Sequence, residues 1–357
     1  MDLIRAEEEV ARLVGAAVSV DPHGSGTHRE VGGRPPREAT VVRAPAGIVA
    51  YDAADLTVTV GAGTTVAHLT EVLAAEAQEC ALDPRDPTAT IGGTIASGLS
   101  GPRRLRVGPL RDQVLEVRFA TADGRLVRGG GPTVKNVTGY DIPRLLVGSL
   151  GTIGVLTRVI LRCRPRPASV WWGVTDGAPD TVRARCLRPA TVAWDGTLTW
   201  VRLEGHPADV EADAARAGLD PGEPCSWPVG RHRGRASVPP GRVVELGRAL
   251  STLGGVRWVA EIGVGTVHVA TDSETALGAA RAHALGCGGW LLREAGAPGL
   301  DGFGVAVPNQ AVLTRVKTAF DPTGKLAPGR LPLLCSPDRG HDEMSPGEVR
   351  TGEVRPS

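Results

Sequence analysis

The chain has 357 residues, 41% of them hydrophobic, with 40 basic side chains against 39 acidic and a net charge of +1. That length suits two ordinary domains, or one large domain with an insertion, and the balanced charge argues against a general nucleic-acid or membrane-surface binder. No apolar run approaches the ~18 residues of a membrane span, and the six cysteines include no C-x-x-C pair, which excludes local zinc and iron–sulfur motifs.

The first stretch, "MDLIRAEEEVARLVGA", reads as an acidic amphipathic helix without the basic and apolar regions of a signal peptide, so a soluble cytoplasmic protein is expected. "AAVSVDPHGSGT" reads as a strand entering a glycine turn. "TVVRAPAGIVAYDAADLTVTVGAGTTVAHLTEVLAAEA" gives strands, a Gly-x-Gly turn and a helix with apolar spacing at Val66, Leu69, Val72 and Leu73. Alternating apolar residues flank Asp123-Gly124 in "DQVLEVRFATADGRLVRGGG", which predicts a hairpin. "LLVGSLGTIGVLTRVILRCRPRP" ends in a β-branched strand stopped by Pro165 and Pro167.

Beyond Pro167 the texture changes. Tryptophans appear (171, 172, 194, 200, 227, 258 and 290), the glycine-rich turns thin out, and a second α+β domain is expected. A helix follows in "NQAVLTRVKTAF", with Val312, Val316 and Phe320 on one face, and then a glycine turn. From Cys335 to Ser357 the composition, rich in proline, glycine and charge, predicts a disordered tail.

Four glycine clusters carry the functional signal: "DPHGSGTH", "VGAGTTV", "ATIGGTIASGLSGPRR" and "GYDIPRLLVGSLGTIGVL". The third has four glycines and no acid in sixteen residues, then two arginines. Glycines followed by cations suit exposed backbone amides aimed at an anion such as phosphate, and a mobile surface loop is the alternative. The second cluster reads G-x-G-x-x-V, a weak match to a dinucleotide fingerprint because Val66 stands at the third glycine position. There is no G-x-S-x-G, no G-x-x-x-x-G-K-[ST] and no H-E-x-x-H. What remains is four separated loops able to enclose one long, dianionic ligand.

In that order, and with "GLSGPRR" and "VKNVTGYDIPRLLVGSLGTIGVL" as its specific parts, the chain resembles the PCMH-type FAD-binding domain of the vanillyl-alcohol oxidase family. Within that family it is most similar to the FAD-binding subunits of glycolate oxidase. The resemblance runs from about residue 2 to 167 and resumes at "FDPTGKLAPGR" (320–330). It implies an α+β fold: a two-subdomain FAD-binding domain at 1–167, an α+β cap domain at 168–300, a return segment at 301–334 and the tail at 335–357.

The resemblance also implies site residues. Gly24, Ser25, Gly26 and Thr27 would form the first phosphate loop, and Gly92, Gly93, Ser97 and Gly98 the second. Gly151, Thr152, Ile153, Gly154 and Val155 would cradle the adenine side, with Arg103 and Arg104 offsetting diphosphate or substrate charge. Ser25 stands where relatives have glycine, so it is expected in a strained conformation. With glycine at position 26 rather than a histidine, the FAD is expected to be noncovalent, and His28 to be a surface residue. Ala327 stands for an asparagine near the isoalloxazine.

No catalytic residue is fixed. "GVGTVH" (263–268) is similar to the G-D-G-N-x-H of catalytic hydroxy-acid dehydrogenases, but Val264 and Thr266 replace the polar partners. His268 is then the one weak candidate base and is expected to be an ordinary strand histidine of the cap. Lys135, Tyr140 and Asp141 are alternatives, Asp141 also fitting a helix N-cap. No metal site is expected. The resemblance implies oxidation of a small 2-hydroxy acid, glycolate, by an FAD-binding subunit. An iron–sulfur subunit and a sister flavoprotein are the implied partners, in the cytoplasm or peripheral to the inner membrane. The alternatives are a noncatalytic flavin-binding scaffold or a standalone FAD-dependent dehydrogenase.

Overall fold

In the computed structural model, residues 3–132, 140–304 and 309–331 are described. Helix α1 (Leu3–Ala16) buries Ala6, Val10, Ala11 and Val14 on one face. The same face buries Glu7, which no solvent reaches. Arg118 at 3.2 Å and Arg158 at 3.1 Å neutralise it, and Thr157 donates to it at 3.0 Å. A buried carboxylate is tolerated only when paired in this way. The pairing fixes α1 on the sheet that carries those arginines. Strand β1 (Val20–Pro22) then pairs in parallel with β2 (Thr40–Val42).

Next come β3 (Ile48–Asp52), β4 (Thr57–Gly61), α2 (Val66–Ala74), β5 (Gln78–Glu79), α3 (Ile91–Ser97) and α4 (Arg104–Val107). Then β6 (Val114–Ala120), β7 (Leu126–Gly130), α5 (Ile142–Leu146), β8 (Val155–Arg162) and β9 (Arg164–Pro165) follow. Five of these strands form an antiparallel sheet in the order β3-β4-β8-β6-β7. Alternation puts Val58, Val60, Val117, Phe119, Val159 and Leu161 into one core beneath α2 and α3. Thr65 caps α2 by accepting the His68 amide, and Leu69 and Leu73 point inward as the spacing requires.

The second sheet is built from β10 (Ser169–Thr175), β11 (Thr191–Trp194), β12 (Thr199–Gly205) and β13 (Asp220–Pro221), with α6 (Pro179–Arg185) and α7 (Pro207–Ala217) between them. It continues through β14 (His232–Ser237), α8 (Val243–Ser251), β15 (Val256–Glu261), β16 (Thr266–Thr271), α9 (Glu274–Gly286) and β17 (Trp290–Ala295). Its order is β13-β10-β12-β11-β15-β16-β14-β17. Val267, Val269, Ala236 and Ala260 pack with the helices in a second core. The residues alternating with them therefore share the opposite face, and these include Arg233, Arg235, Glu261 and His268.

Two joints hold the sheets in register. Arg103, 4% exposed, is gripped by Asp83 (2.7 Å), Glu79 (2.7 Å) and, from the second sheet, Glu204 (3.5 Å). After the second sheet, α10 (Gln310–Phe320) returns the chain to β1, where Val20 donates to Lys325 O at 2.8 Å and Ala327 donates to Val20 O at 2.9 Å. The face that α10 buries differs from expectation. Val312 is 55% exposed, whereas Lys317 is 4% exposed, because its ammonium reaches three buried oxygens. The expected tail, 335–357, lies outside the described residues.

Candidate functional site

A cleft opens where β1 ends, between the loop after it, the start of α3 and the turn before β8. Gly24, Ser25, Gly26 and Thr27 all line it. A Cβ on Gly24 would lie 2.1 Å from Thr90 Oγ1, and Gly26 takes φ +92°, so glycine is required at both positions. Arg43 Nη1 donates to Gly24 O at 2.6 Å and pins the loop. The amides of residues 24–27 meet no acceptor among the described residues. Four donors left open on a concave wall suit an oxyanion such as a diphosphate. Ser25 is absent from the residues with positive φ, so the strain expected for it does not arise.

The expected second phosphate loop, in "ATIGGTIASGLSGPRR", works differently from its expectation as a donor loop. It is helix α3, and its amides are already engaged: Gly92 donates to Ala62 O at 2.7 Å and Gly93 to Thr90 Oγ1 at 3.2 Å. Here glycine supplies room. Gly92, Gly93 and Ser97 line the cleft. A Cβ on Gly92 meets Ala62 at 3.0 Å, and one on Gly93 meets only Thr90 Oγ1. Gly98 does not line the cleft. It ends α3 at φ +67°, against Gly148.

In the fourth cluster Gly151, Gly154 and Val155 line the cleft, but Thr152 and Ile153 turn away. Ile153 joins the core, and Thr152 is fully buried with its carbonyl accepting from Lys317 Nζ at 2.6 Å. The Lys317 ammonium also reaches Leu326 O (3.1 Å) and Asp321. This buried pair joins the turn before β8 to the return segment. Arg330 from that segment lines the cleft and pairs with buried Asp21 at 3.5 Å.

The two arginines of "GPRR" part company. Arg103 is gripped by its three carboxylates and does not line the cleft. Arg104 is half-buried within the field of Glu261 and Arg235, and burial lowers its pKa. Lys135 lies outside the described residues. Tyr140 is 93% exposed, and Asp141 caps α5 by accepting the Arg144 amide at 3.0 Å. Ala327 is fully buried at φ +44°, a backbone region that asparagine tolerates better.

His28 is not a plain surface residue. With Gly26 and Thr27 it borders both the cleft and a second cavity. Burial lowers its pKa. Arg85, Arg233, Arg235, Glu261, His268 and Glu294 line this second cavity. Arg85 sits 3.8 Å from Glu294 and 5.7 Å above the Trp227 ring. Burial opposes the charge of Glu294, but Arg85 and Arg235 more than offset it and its pKa is lowered. Arg235 donates to Ser100 O at 2.7 Å and lies 4.0 Å from Glu261. The Arg233 side chain has no hydrogen bond or ion pair among the described residues.

His268 Nε2 contacts Glu261 Oε1, and Trp227 meets the imidazole edge-on at 4.7 Å between ring centres. Burial, then Arg85 and Arg235, push its pKa well below the usual histidine range. Burial pushes Glu261 up to about 7. The polar neighbour missing from His268's own strand is therefore supplied by the adjacent one. Sequence reasoning missed Arg85, Arg233, Arg235, Glu261 and Glu294.

A family model described as an FAD binding domain matches residues 3–130. The glycolate oxidase subunit GlcE of Escherichia coli (strain K12) is 38% identical over 191 residues, 50% of this chain and 54% of that one. The glycolate oxidase subunit GlcD of Bacillus subtilis (strain 168) is 36% identical over 221 residues, 57% of this chain and 46% of that one. A D-lactate dehydrogenase of Archaeoglobus fulgidus is 34% identical over 164 residues, 44% of this chain and 37% of that one. The match thus spans about half or less of these relatives' lengths. Among solved structures, an alkyldihydroxyacetonephosphate synthase superposes with a TM-score of 0.64 at 14% identity, covering 90% of this chain and 74% of that one. That likeness shows the fold.

Proposed function

With residues 3–130 an FAD-binding domain, we propose that the chain is the FAD-binding subunit of a glycolate-oxidase-type complex and oxidises a small 2-hydroxy acid to the 2-oxo acid. The observation that carries this reading is the junction at Gly26, Thr27 and His28, where a cleft lined by open amides meets a cavity lined by arginines. The residues proposed to hold FAD, noncovalently, are Gly24 to Thr27, Gly92, Gly93, Ser97, Gly151, Gly154 and Val155. The bound flavin supplies the two-electron acceptor that side chains lack.

This chain's own residues do the rest. Glu294 and Glu261 offset Arg85 and Arg235, which leaves the Arg233 guanidinium for the carboxylate of one small acid. His268, held neutral by burial, takes the hydroxyl proton as general base. The cysteines are too scattered to form a cluster, so onward electron transfer is assigned to an iron–sulfur subunit and a sister flavoprotein. No helix among the described residues is long and apolar enough to cross a membrane. We assign the complex to the cytoplasm or to the inner membrane's surface.

Anaerobic glycolate, added to the yellow holoprotein alone and with its partner subunits, tests the reading. Bleaching of the flavin band that is lost in His268→Gln is expected. A second reading, a noncatalytic flavin-holding scaffold, is favoured by Val264 and Thr266 at positions polar in catalytic relatives. It predicts bleaching only from the sister subunit, untouched by His268→Gln. A flavin that no 2-hydroxy acid bleaches, even in the assembled complex, overturns the first reading.

A further inference from the structure

Building on that reading, we propose that Glu261 is a positioning residue that fixes the tautomer of His268, leaving Nδ1, unpartnered at the cavity wall, as the proton acceptor. The two side chains leave one face of neighbouring strands. Val259 stands opposite His268 and Glu261 opposite Thr266, so the glutamate is diagonal to the imidazole. Both side chains are at most 5% exposed. An ionised carboxylate only accepts, so the imidazole carries its proton on Nε2, and Nδ1 keeps a lone pair.

That lone pair is orphaned. Neither His268 Nδ1 nor Glu261 Oε2 has a hydrogen-bond partner among the described residues, although both are buried. Such atoms in a cavity wall await a donor from a ligand. The hydroxyl of a 2-hydroxy acid is a donor of that kind. Its proton would pass to Nδ1, and an FAD held in the adjoining cleft would supply the acceptor for the C2 hydrogen and its electron pair. The product is the 2-oxo acid, and Glu261 balances the imidazolium.

The groups facing the pair set the pH response. Arg85 and Asp86 approach from the loop after β5, Arg104 from α4, Arg233 and Arg235 from β14, Glu294 from β17, and His28 from the first glycine loop. The cations disfavour a charged imidazole, and burial opposes charge on both partners. Above about pH 7 Glu261 is ionised and Nδ1 is open. Below it the proton arrives on Glu261, which then donates to Nε2, and the imidazole inverts to carry its hydrogen on Nδ1. Base function is therefore lost as pH falls.

Isotope-labelled histidine ring nitrogens, read by NMR on the FAD-loaded full chain, test this. His268, identified by the signal lost in His268→Gln, should carry its proton on Nε2 at about pH 8 and invert as pH falls through about 7. Glu261→Gln keeps an acceptor but not a titrating group, so Nε2–H should persist across that range. Flavin reduction in this variant should lose about tenfold or more in kcat, with KM within about twofold. A proton on Nδ1 at the high pH in the wild type, or a Glu261→Gln protein with unchanged titration and kcat, overturns the assignment. A wild type that oxidises no 2-hydroxy acid removes the catalytic reading, and the ring-nitrogen result still decides what Glu261 does.

Discussion

The cleft and the cavity meet at three residues, yet they are made of different material. The cleft is largely backbone: open amides at 24–27 and surfaces cleared of side chains at Gly92, Gly93, Gly151 and Gly154. The cavity is side chain, with its charged groups drawn from β14, β15, β16, β17 and the loop after β5. A backbone site needs a contiguous run of permissive residues, whereas a side-chain site needs only one residue per strand on the right face. The first tolerates almost any neighbour and no added Cβ. The second tolerates backbone change and depends on each charge.

The largest expected effect strikes the backbone site. Gly93→Asp places a carboxylate beside Thr90 on the cleft wall, where like charges at close range oppose a diphosphate. FAD affinity should fall by about a hundredfold or more, measured by flavin fluorescence, while far-UV circular dichroism is retained. Normal FAD binding would show that α3 does not face the cofactor.

Lys317→Met is expected to come next, because it removes a buried charged side chain on which the backbone site leans. Asp321 would be left buried without its cation, at a cost of about 3–5 kcal/mol. Urea unfolding measures it, and FAD affinity should weaken along with it as the turn before β8 loosens. A loss below about 1 kcal/mol would show that the pair is incidental to the cleft.

The same contrast explains what the sequence disclosed. "HGSGT" and "TIGG" read as a ligand-facing surface because only glycine meets their steric demand, and the cofactor class followed from their order. Gly98 belonged to the same stretch and was misread, since a helix-ending glycine at positive φ looks no different from a ligand-facing one. Arg103 misled for a related reason: a cation after glycines suits phosphate, but its carboxylates lie far away in the chain, one of them in the second sheet.

The cavity was opaque for a different reason. In "RGRAS" and "VRWVAE" the alternation marks one face of a strand as charged, and such a face ordinarily meets water. Nothing local distinguishes water from the roof of a neighbouring domain. His268 was legible as a strand residue, but its partner Glu261 lies on the strand before it, after an intervening turn. Lys317 was hidden by its own helix, because Val312, Val316 and Phe320 outline an apolar stripe that only partly coincides with the buried face.

The central claim is that the cleft holds the flavin while the adjoining arginines hold the acid beside it. The most direct measurement is the flavin absorption spectrum of the holoprotein titrated with oxalate, which binds as an acid and cannot be oxidised by hydride loss. Oxalate should shift the visible flavin bands of the wild type. Arg233→Leu should keep its FAD but need roughly ten- to hundredfold more oxalate, the loss of a charged hydrogen bond worth about 1.5–3 kcal/mol. A spectrum indifferent to oxalate, or an equal titration in the variant, would contradict the account by separating the cavity from the flavin.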